Sequence, residues 1–387
     1  MFQYRIYPTK KQVQKLNETL GECRWLYNHF LEQRKTTYEQ EGQSLSCYNQ
    51  IDTLGLLKQE RATLKQVHSQ VLQNVAVRID LAFKAFFRRC KAGENPGYPR
   101  FRGRDRYDSF TFAQSGFSLV SVPRTASQED RVTLSKIGSV KMVYHRPLKG
   151  KLKTCTIRRS STGKWYVSFS SECEPERLEP TPTQVGIDVG LTTFATLSNE
   201  EEIANPRFFR QEEQALAKVQ RKHAKLAKGT PERRKHRRVV ARVHERIAFR
   251  RDTFTHQESR QIVDRFGVIC IEDLPVNRMV HNHCLAKSIH DAAWSEFFRK
   301  LSYKAEEAGR RYVAVKPAYT SQDCSRDPVW GTGNHHRQVM PLSERVYHCP
   351  CCLLSIDRDL NASLNIRAVG LHSLGLSLET PAFMRGE

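Results

Sequence analysis

Three separated segments of the chain each end a short apolar run on a carboxylate, and they restrict the possible folds more than any other feature. The runs end at Asp188, at Glu272 and at the pair Asp357 and Asp359. An acid at the end of a buried strand is costly unless it has a partner. From Asp188 to Glu272 is 84 residues and from Glu272 to Asp359 is 87, so only a folded α/β core can bring these acids together. Converging carboxylates can bind divalent metal ions.

Each acid taken alone also fits an ordinary structural role, because Asp is common at helix caps and in turns. Taken together, the three fit two-metal phosphodiester cleavage, in which ions about 3.5–4 Å apart activate a water and stabilise the leaving oxygen. That is the chemistry of an RNase H-like nuclease.

Other short motifs occur in a fixed order along the chain. They are Tyr4-Arg5-Ile6-Tyr7-Pro8-Thr9, Pro96-Gly97-Tyr98-Pro99-Arg100-Phe101, Gly186-Ile187-Asp188-Val189-Gly190, Ile271-Glu272-Asp273-Leu274, Thr320-Ser321-Gln322 and Asp357-Arg358-Asp359-Leu360-Asn361-Ala362. Over nearly the whole chain they resemble the TnpB family, transposon-encoded nucleases related to type V CRISPR effectors and called OrfB transposases in older usage. The resemblance implies that Asp188, Glu272 and Asp359 are the catalytic triad and hold two Mg²⁺ ions, with Asp357 as a supporting or helix-start residue.

The resemblance also implies a multidomain α+β fold, with an RNase H-like (RuvC) nuclease core, a wedge-type β-barrel, an inserted helical recognition lobe and a degenerate zinc ribbon. The expected division is 1–10 and 99–176 for the barrel, 11–98 for the helical lobe, 177–183 for a linker, 184–318 and 354–370 for the nuclease with a basic hairpin at 210–264, 319–353 for the ribbon, and 371–387 for a flexible tail.

Hydrophobic periodicity supports the helical part of this division. Two stripes of apolar residues recur at steps of three and four: Leu16, Leu20, Cys23, Tyr27 and Phe30, then Leu72, Val75, Ile79, Phe83 and Phe86. Runs rich in β-forming residues at 110–112, 139–144 and 164–169 predict the barrel, with residues 4–7 as its first strand.

Charge restricts the partners. The chain has 63 Lys plus Arg against 41 Asp plus Glu, a net charge of +22, which points to nucleic acid. No stretch approaches the ~20 apolar residues of a membrane span, and the first residues have no signal-peptide core, so a cytoplasmic protein with reduced cysteines is expected. The resemblance implies a transposon-derived guide RNA and double-stranded target DNA as partners, with a monomeric ribonucleoprotein favoured.

A strongly basic helical segment follows the first acid. Residues 210–251 carry 15 Lys plus Arg against four acids, with a break at Gly229-Thr230-Pro231. A solvated helix face explains any single charge here, but the surplus of eleven favours a nucleic-acid track, and the resemblance implies that it lies along the guide RNA or its heteroduplex. The candidate phosphate contacts are Arg233, Arg234, Lys235, Arg237, Arg238 and Arg242.

Further candidate contacts lie in the first half of the chain. Tyr48, Gln70, Gln73 and Asn74 lie where the family reads a short duplex motif beside the target, although surface or capping roles explain each one too. Arg100, Arg102 and Arg104 alternate with aromatic residues in a patch suited to phosphate contact and base stacking. In the alternative interpretation, Tyr98 and Phe101 belong to the core. Asp291 and Trp294 also match the family and are expected to be a structural hydrogen-bonding group and a core residue.

The expected zinc ribbon is incomplete. Cys349 and Cys352 have zinc-knuckle spacing, but Cys324 is followed at the second ligand position by Asp327. Three interpretations stay open: Asp327 is a ligand, a histidine (His335, His336 or His348) replaces it, or the ribbon holds no metal.

The resemblance therefore implies an RNA-guided DNA endonuclease that cuts beside a short transposon-adjacent motif. Three alternatives remain: an RNA-guided DNA-binding protein that does not cut, a transposase that joins DNA ends, and a guide-free nuclease that cuts branched DNA.

Overall fold

The computed structural model describes residues 1–120, 130–326, 337–341 and 343–376. The chain divides into two compact units, Met1–Glu174 and Pro175–Glu387. All eleven cysteines fall within the described residues and are free thiols, as the sequence predicted. Among the helices that are described, none combines the length and the apolar character that crossing a membrane requires.

Helices make up the first half of the first unit. They are α1 (Lys10–Glu41), α2 (Cys47–Asp52), α3 (Leu54–Glu60), a 3₁₀ helix (Ala62–Gln66) and α4 (Ser69–Lys91). Thr9 and Gln12 begin α1 with a reciprocal capping box. All five residues of the predicted α1 stripe are buried, which confirms that prediction. The α4 stripe is buried from Leu72 to Ile79, but Phe83 and Phe86 are only partly covered.

A seven-stranded antiparallel sheet completes this unit. Its strands are β1 (Phe2–Tyr7), β2 (Ser109–Phe112), β3 (Phe117–Val120), β4 (Arg131–Leu134), β5 (Gly138–Met142), β6 (Lys151–Arg159) and β7 (Trp165–Glu172), in the order β2-β6-β7-β1-β5-β4-β3. The two edge strands, β2 and β3, follow each other in the chain with only a short turn between them. The sheet is therefore barrel-like and nearly closed, with β1 at its centre.

A five-stranded sheet forms the centre of the second unit. Its strands are β8 (Gln184–Val189), β9 (Thr193–Leu197), β10 (Glu202–Ala204), β11 (Val268–Glu272) and β12 (Arg311–Val315), in the order β10-β9-β8-β11-β12. The pairs β8–β11 and β11–β12 are parallel, whereas β9 and β10 are antiparallel to their neighbours. Every residue of β11 is buried, as expected of a central parallel strand.

In the described part of this unit, six helices and a small two-stranded sheet accompany these strands. They are α5 (Phe208–Ala224), α6 (Pro231–Arg265), α7 (Val276–Met279), α8 (His283–Ala292), α9 (Trp294–Glu307), β13 (Val346–His348), β14 (Ser355–Asp357) and α10 (Arg358–Ser373). Helices α6 and α9 pack together, and α10 lies across β8 and β11.

The predicted linker 177–183 follows closely on the end of the first unit at Glu174 and forms no helix or strand. Its backbone is bound to the second unit, because Leu178 N–H donates to the Ala308 carbonyl (3.1 Å) and Arg310 donates to the Glu179 carbonyl (2.7 Å). The flexible tail does not begin at Leu371, because α10 runs to Ser373 and Leu371 is fully buried with Ile366 and Val315. The rest of the predicted tail, from residue 377, lies outside the described residues.

Candidate metal-binding active site

The first two acids lie at one edge of the central sheet. Asp188 is the penultimate residue of β8 and Glu272 is the last residue of β11. The two strands are parallel, and Ile187 pairs with Ile271 in their register. Asp188 and Glu272 therefore follow the same pair of residues at the same ends of adjacent strands.

Helix α10 brings the third acid to this edge. The helix can approach β8 because residue 186 is glycine: a Cβ there would lie 2.0 Å from the Ser363 carbonyl oxygen. Asp357 caps the helix by accepting from the N–H groups of Asp359 (2.8 Å) and Leu360 (3.0 Å). This confirms Asp357 as the helix-start residue and leaves Asp359 in the first turn.

The three carboxyl groups interact electrostatically. Burial raises the pKa of Asp188 well above its usual range, and the negative charges of Glu272 and Asp359 raise it further. Burial also raises the pKa of Glu272, which is 8% exposed. Burial and the charge of Asp357 raise the pKa of Asp359. Partly buried carboxylates that repel one another fit a divalent cation, which prefers oxygen ligands and would neutralise their charge.

A buried hydrogen-bond network holds Glu272. The Thr320 hydroxyl donates to Glu272 Oε1, and the Thr320 carbonyl accepts from Asn365 Nδ2 on α10 (2.7 Å). Asn361, one turn earlier on α10, donates to the Asp323 carbonyl (2.9 Å). Thr320 belongs to the motif Thr320-Ser321-Gln322, which by itself predicted no role for it. The sequence feature that could have indicated this network is the pair Asn361 and Asn365, which are four residues apart and share one face of α10.

An arginine lies beside Asp359. Arg345 Nη1 is 3.8 Å from Asp359 Oδ1, and its other terminal nitrogen donates to the Thr192 hydroxyl (3.4 Å). Its charge lowers the pKa of Asp359 and opposes the effects of burial and Asp357. Sequence reasoning missed Arg345, because it lies outside any helix or strand and no local pattern distinguishes it.

Three cysteines of the predicted ribbon converge. The sulfur atoms of Cys324, Cys349 and Cys352 all lie within 4.8 Å of one another, and Cys324 and Cys352 are 3.5 Å apart. Burial acts to raise the pKa of Cys349, but N–H donors from Cys352 and Cys351 outweigh it and bring the pKa to about 7. Burial raises the pKa of Cys324 to about 12. Three converging thiols fit zinc, whose bonds to sulfur are ~2.3 Å long.

Four residues are candidates for the fourth zinc ligand. Asp327, His335 and His336 lie outside the described residues, whereas His348 is an exposed residue of β13.

The predicted basic hairpin corresponds to α5 and α6. Thr230 caps α6 and Pro231 is its first residue, as the predicted break requires. Arg233 is a poor candidate for phosphate contact, because its guanidinium donates to the Leu226 carbonyl and closes the turn. The other five candidates, Arg234, Lys235, Arg237, Arg238 and Arg242, are exposed on α6.

Among the candidate nucleic-acid contacts of the first unit, some side chains form hydrogen bonds within the protein and others are exposed. Gln70 accepts from the N–H groups of Gln114 (3.0 Å) and Ser115 (2.7 Å) and so fixes the β2–β3 turn. Asn74 accepts from Arg78 (3.0 Å). The exposed candidates are Tyr48, Gln73, Arg100, Arg102 and Arg104.

Two further matches to the family have the structural roles expected of them. Asp291 accepts from the Phe209 N–H (2.8 Å) at the start of α5 and from Arg251 Nη2 (2.8 Å). Trp294 is 3% exposed in the core. The alternative that Tyr98 and Phe101 are core residues is wrong, because they are 45% and 54% exposed.

The fold and site together define a class: an α/β protein that has, in one unit, a carboxylate cluster suited to divalent metal and a basic helical hairpin. Comparison with known proteins adds the family. A family model described as "Probable transposase" (OrfB of the IS605 type) matches residues 168–283, "Cas12f1-like, TNB domain" matches 294–366, and "Helix-turn-helix domain" matches 1–43.

Two relatives match nearly the full chain. "Putative RNA-guided DNA endonuclease" of Streptomyces pristinaespiralis is 35% identical, covering 96% of this chain and 89% of the relative. "Putative RNA-guided DNA endonuclease InsQ" of Escherichia coli (strain K12) is 28% identical, covering 95% and 92%. The solved structure titled "Cryo-EM structure of the Cas12f1-sgRNA-target DNA complex" aligns with a TM-score of 0.36 at 14% identity, over 95% of this chain and 98% of that one. The chain belongs to the TnpB family, as its sequence motifs indicated.

Proposed function

We propose that this protein is an RNA-guided DNA endonuclease whose active site is formed by Asp188, Glu272 and Asp359. The observation that carries the proposal is the convergence of these acids from β8, β11 and α10, with each pKa raised. The names of the two relatives support the guided reaction. The sheet, with two antiparallel strands followed by parallel β8, β11 and β12, supports an RNase H-like (RuvC) nuclease core.

The three carboxylates would hold Mg²⁺, which their oxygen donors suit. Two bound ions would supply an activated water and stabilisation of the leaving oxygen. Two residues near the proposed metal ions have separate roles. Thr320 fixes the orientation of the Glu272 carboxylate, and Arg345 offers a positive charge to a phosphate next to Asp359.

The basic surface of α6 would bind the phosphates of the guide RNA or its heteroduplex. Base pairing would then select the target sequence, so the protein needs mainly backbone contacts there. In the first unit, exposed Tyr48 and Gln73 remain the candidates for reading the motif beside the target.

The cysteine cluster would hold one zinc ion through Cys324, Cys349 and Cys352, with a fourth ligand still to be identified. Zinc would link residue 324 to the β13–β14 hairpin, and α10 begins directly after β14. The ribbon is therefore a structural support for Arg345 and Asp359.

The first experiment is to express the chain with its native flanking DNA, purify it, and sequence the RNA that accompanies it. One discrete RNA that spans the end of the element supports the guided function and supplies the guide for cleavage assays. Only heterogeneous cellular RNA contradicts it. Strand-transfer products from transposon-end DNA without RNA would favour a transposase, and RNA-free cutting of branched DNA a guide-free nuclease.

A further inference from the structure

An exposed cluster of aromatic side chains lies at the end of α4. We call it the aromatic ledge; it consists of Phe83, Phe86, Phe87 and Tyr98. The Tyr98 ring meets Phe83 and Phe86 edge-on at 5.6 Å and 5.5 Å, and Phe86 and Phe87 are 5.3 Å apart. Phe87 and Tyr98 are 53% and 45% exposed. Contiguous exposed aromatic surface of this kind marks an interaction site.

The inner side of the ledge is fixed to the core of its unit. The Arg34 guanidinium lies 5.3 Å from the centre of the Phe83 ring. Arg34 is itself only 8% exposed and is held by Gln50 (2.9 Å) and Asp80 (3.5 Å). Phe83 is therefore a rigid base on which the outer rings rest.

The segment that carries Tyr98 is also anchored. Between Lys91 and Ser109 the chain forms no helix or strand, and connections of this length are usually functional or disordered. This one is tied to α1, because Arg102 N–H donates to Asn28 Oδ1 (2.7 Å) and Asn28 Nδ2 donates to the Arg102 carbonyl (3.1 Å). Tyr98 thus has a defined place on the ledge.

Basic residues flank the aromatic ledge in the sequence. The exposed basic residues that flank it are Arg88, Arg89 and Lys91 at the end of α4, and Arg100, Arg102, Arg104 and Arg106 in the following segment. Between residues 84 and 106 the acids are Glu94 and Asp105. Exposed rings among many cations fit a ligand with flat apolar faces and regularly spaced negative charges.

We propose that the aromatic ledge binds unpaired bases of RNA by stacking, while the flanking arginines bind its phosphates. The choice of RNA rests on the proposed function, which supplies a guide RNA. A duplex hides its base faces and would use only the arginines. Single-stranded RNA uses both the rings and the charges.

The test uses the full chain and a short oligouridylate of about twelve nucleotides carrying 5-iodouridine. Irradiation at raised salt, followed by mass spectrometry, should identify crosslinks to Phe86, Phe87 or Tyr98. Crosslinks confined to other parts of the chain would overturn the proposal.

Affinity measurements separate stacking from charge. Phe87→Ala and Tyr98→Leu should each weaken oligouridylate binding about tenfold (~1.4 kcal/mol) with an unchanged salt dependence. Tyr98→Phe keeps the ring and should bind normally. Arg88→Gln should reduce the slope of log K against log salt by about 0.7. Leu81→Ala, on the same helix and 58% exposed, is the matched control and should have no effect.

The other outcomes are also decisive. Loss of binding in Leu81→Ala, or equal binding of a blunt RNA duplex, would overturn the stacking site, and tighter binding of the matching oligodeoxyuridylate would assign it to DNA. If no discrete RNA accompanies the protein but the ledge crosslinks, the proposed function fails and the ledge stands. If guided cleavage occurs without such crosslinks, only the ledge fails.

Discussion

At the residue scale, the proposed metal site depends on how each carboxylate is held. Glu272 has a fixed hydrogen-bond donor in Thr320, Asp359 has Arg345 nearby, and Asp188 is repelled by the charges of two other acids. These differences predict different consequences for single substitutions.

Thr320→Val should slow Mg²⁺-dependent DNA cleavage about 10- to 100-fold, because Glu272 loses the donor that orients it. Thr320→Ser keeps a hydroxyl and is the matched control, so it should stay within a few-fold of the wild type. The measurement is a single-turnover rate across a Mg²⁺ titration. Equal rates for the Val and Ser variants would contradict the positioning role.

Asp188→Asn should stabilise the metal-free protein, and more so at high pH. A carboxyl whose pKa is raised by folding contributes stability at low pH, and this is lost as pH rises through the folded-state pKa. Asn stays neutral throughout. The difference in Tm between variant and wild type, measured in EDTA, should therefore grow as the pH rises above about 4, the ordinary pKa of an aspartate.

Glu306→Gln, at an exposed acid on α9, is the carboxylate-to-amide control, and its Tm should stay close to that of the wild type. Added Mg²⁺ should raise the Tm of the wild type more than that of Asp188→Asn. A pH-independent effect of Asp188→Asn would contradict the assigned burial and repulsion.

At the element scale, the position of α10 decides whether the three acids meet. The helix approaches β8 at Gly186 and β11 at Gly370, where a Cβ would lie 2.3 Å from Cys270 Sγ. It also holds residues 320–325 through Asn361 and Asn365. One helix thus controls both Asp359 directly and Glu272 through Thr320.

Gly186→Ala should lower both Tm and cleavage activity, because the new Cβ would overlap the Ser363 carbonyl and push α10 away from β8. We expect a destabilisation of about 1–3 kcal/mol, as for overpacked cores. Gly103→Ala is the control, since a Cβ there meets nothing within 4 Å. Thermal unfolding measures the first effect, and unchanged stability of Gly186→Ala would contradict the close packing.

Cys349→Ser should reduce the zinc content, measured by elemental analysis, from about one ion per chain towards zero. Cys90→Ser, at an exposed thiol on α4, should leave the content unchanged. Zinc-free wild-type protein would show that the three converging thiols do not hold the metal. The ribbon would then be a metal-free element.

At the scale of the whole molecule, sequence patterns predicted what depends on periodicity and motifs. The α1 stripe, the break before α6 and the capping role of Asp357 all follow from local rules. Contacts between distant segments could not be read in this way. Gln70 binds the β2–β3 turn, Leu371 joins the core beneath β12, and Arg345 reaches Asp359 only because the chain folds back.

The partial exposure of the apolar stripe on α4 also depends on contacts with distant segments, which the sequence pattern does not show. Spacing predicts which residues of α4 share a face, but not where the neighbouring elements stop covering that face. Phe86 therefore continues the stripe of Leu72 and Val75 and yet becomes part of the aromatic ledge.

The most direct test of the central claim is cleavage of target DNA by the purified ribonucleoprotein. With the accompanying RNA and Mg²⁺, the wild type should cut DNA that matches the guide, whereas Asp188→Ala, Glu272→Gln and Asp359→Asn should bind that DNA and leave it uncut. Cutting by these variants at the wild-type rate, or cutting by the wild type without regard to the guide sequence, would contradict the account.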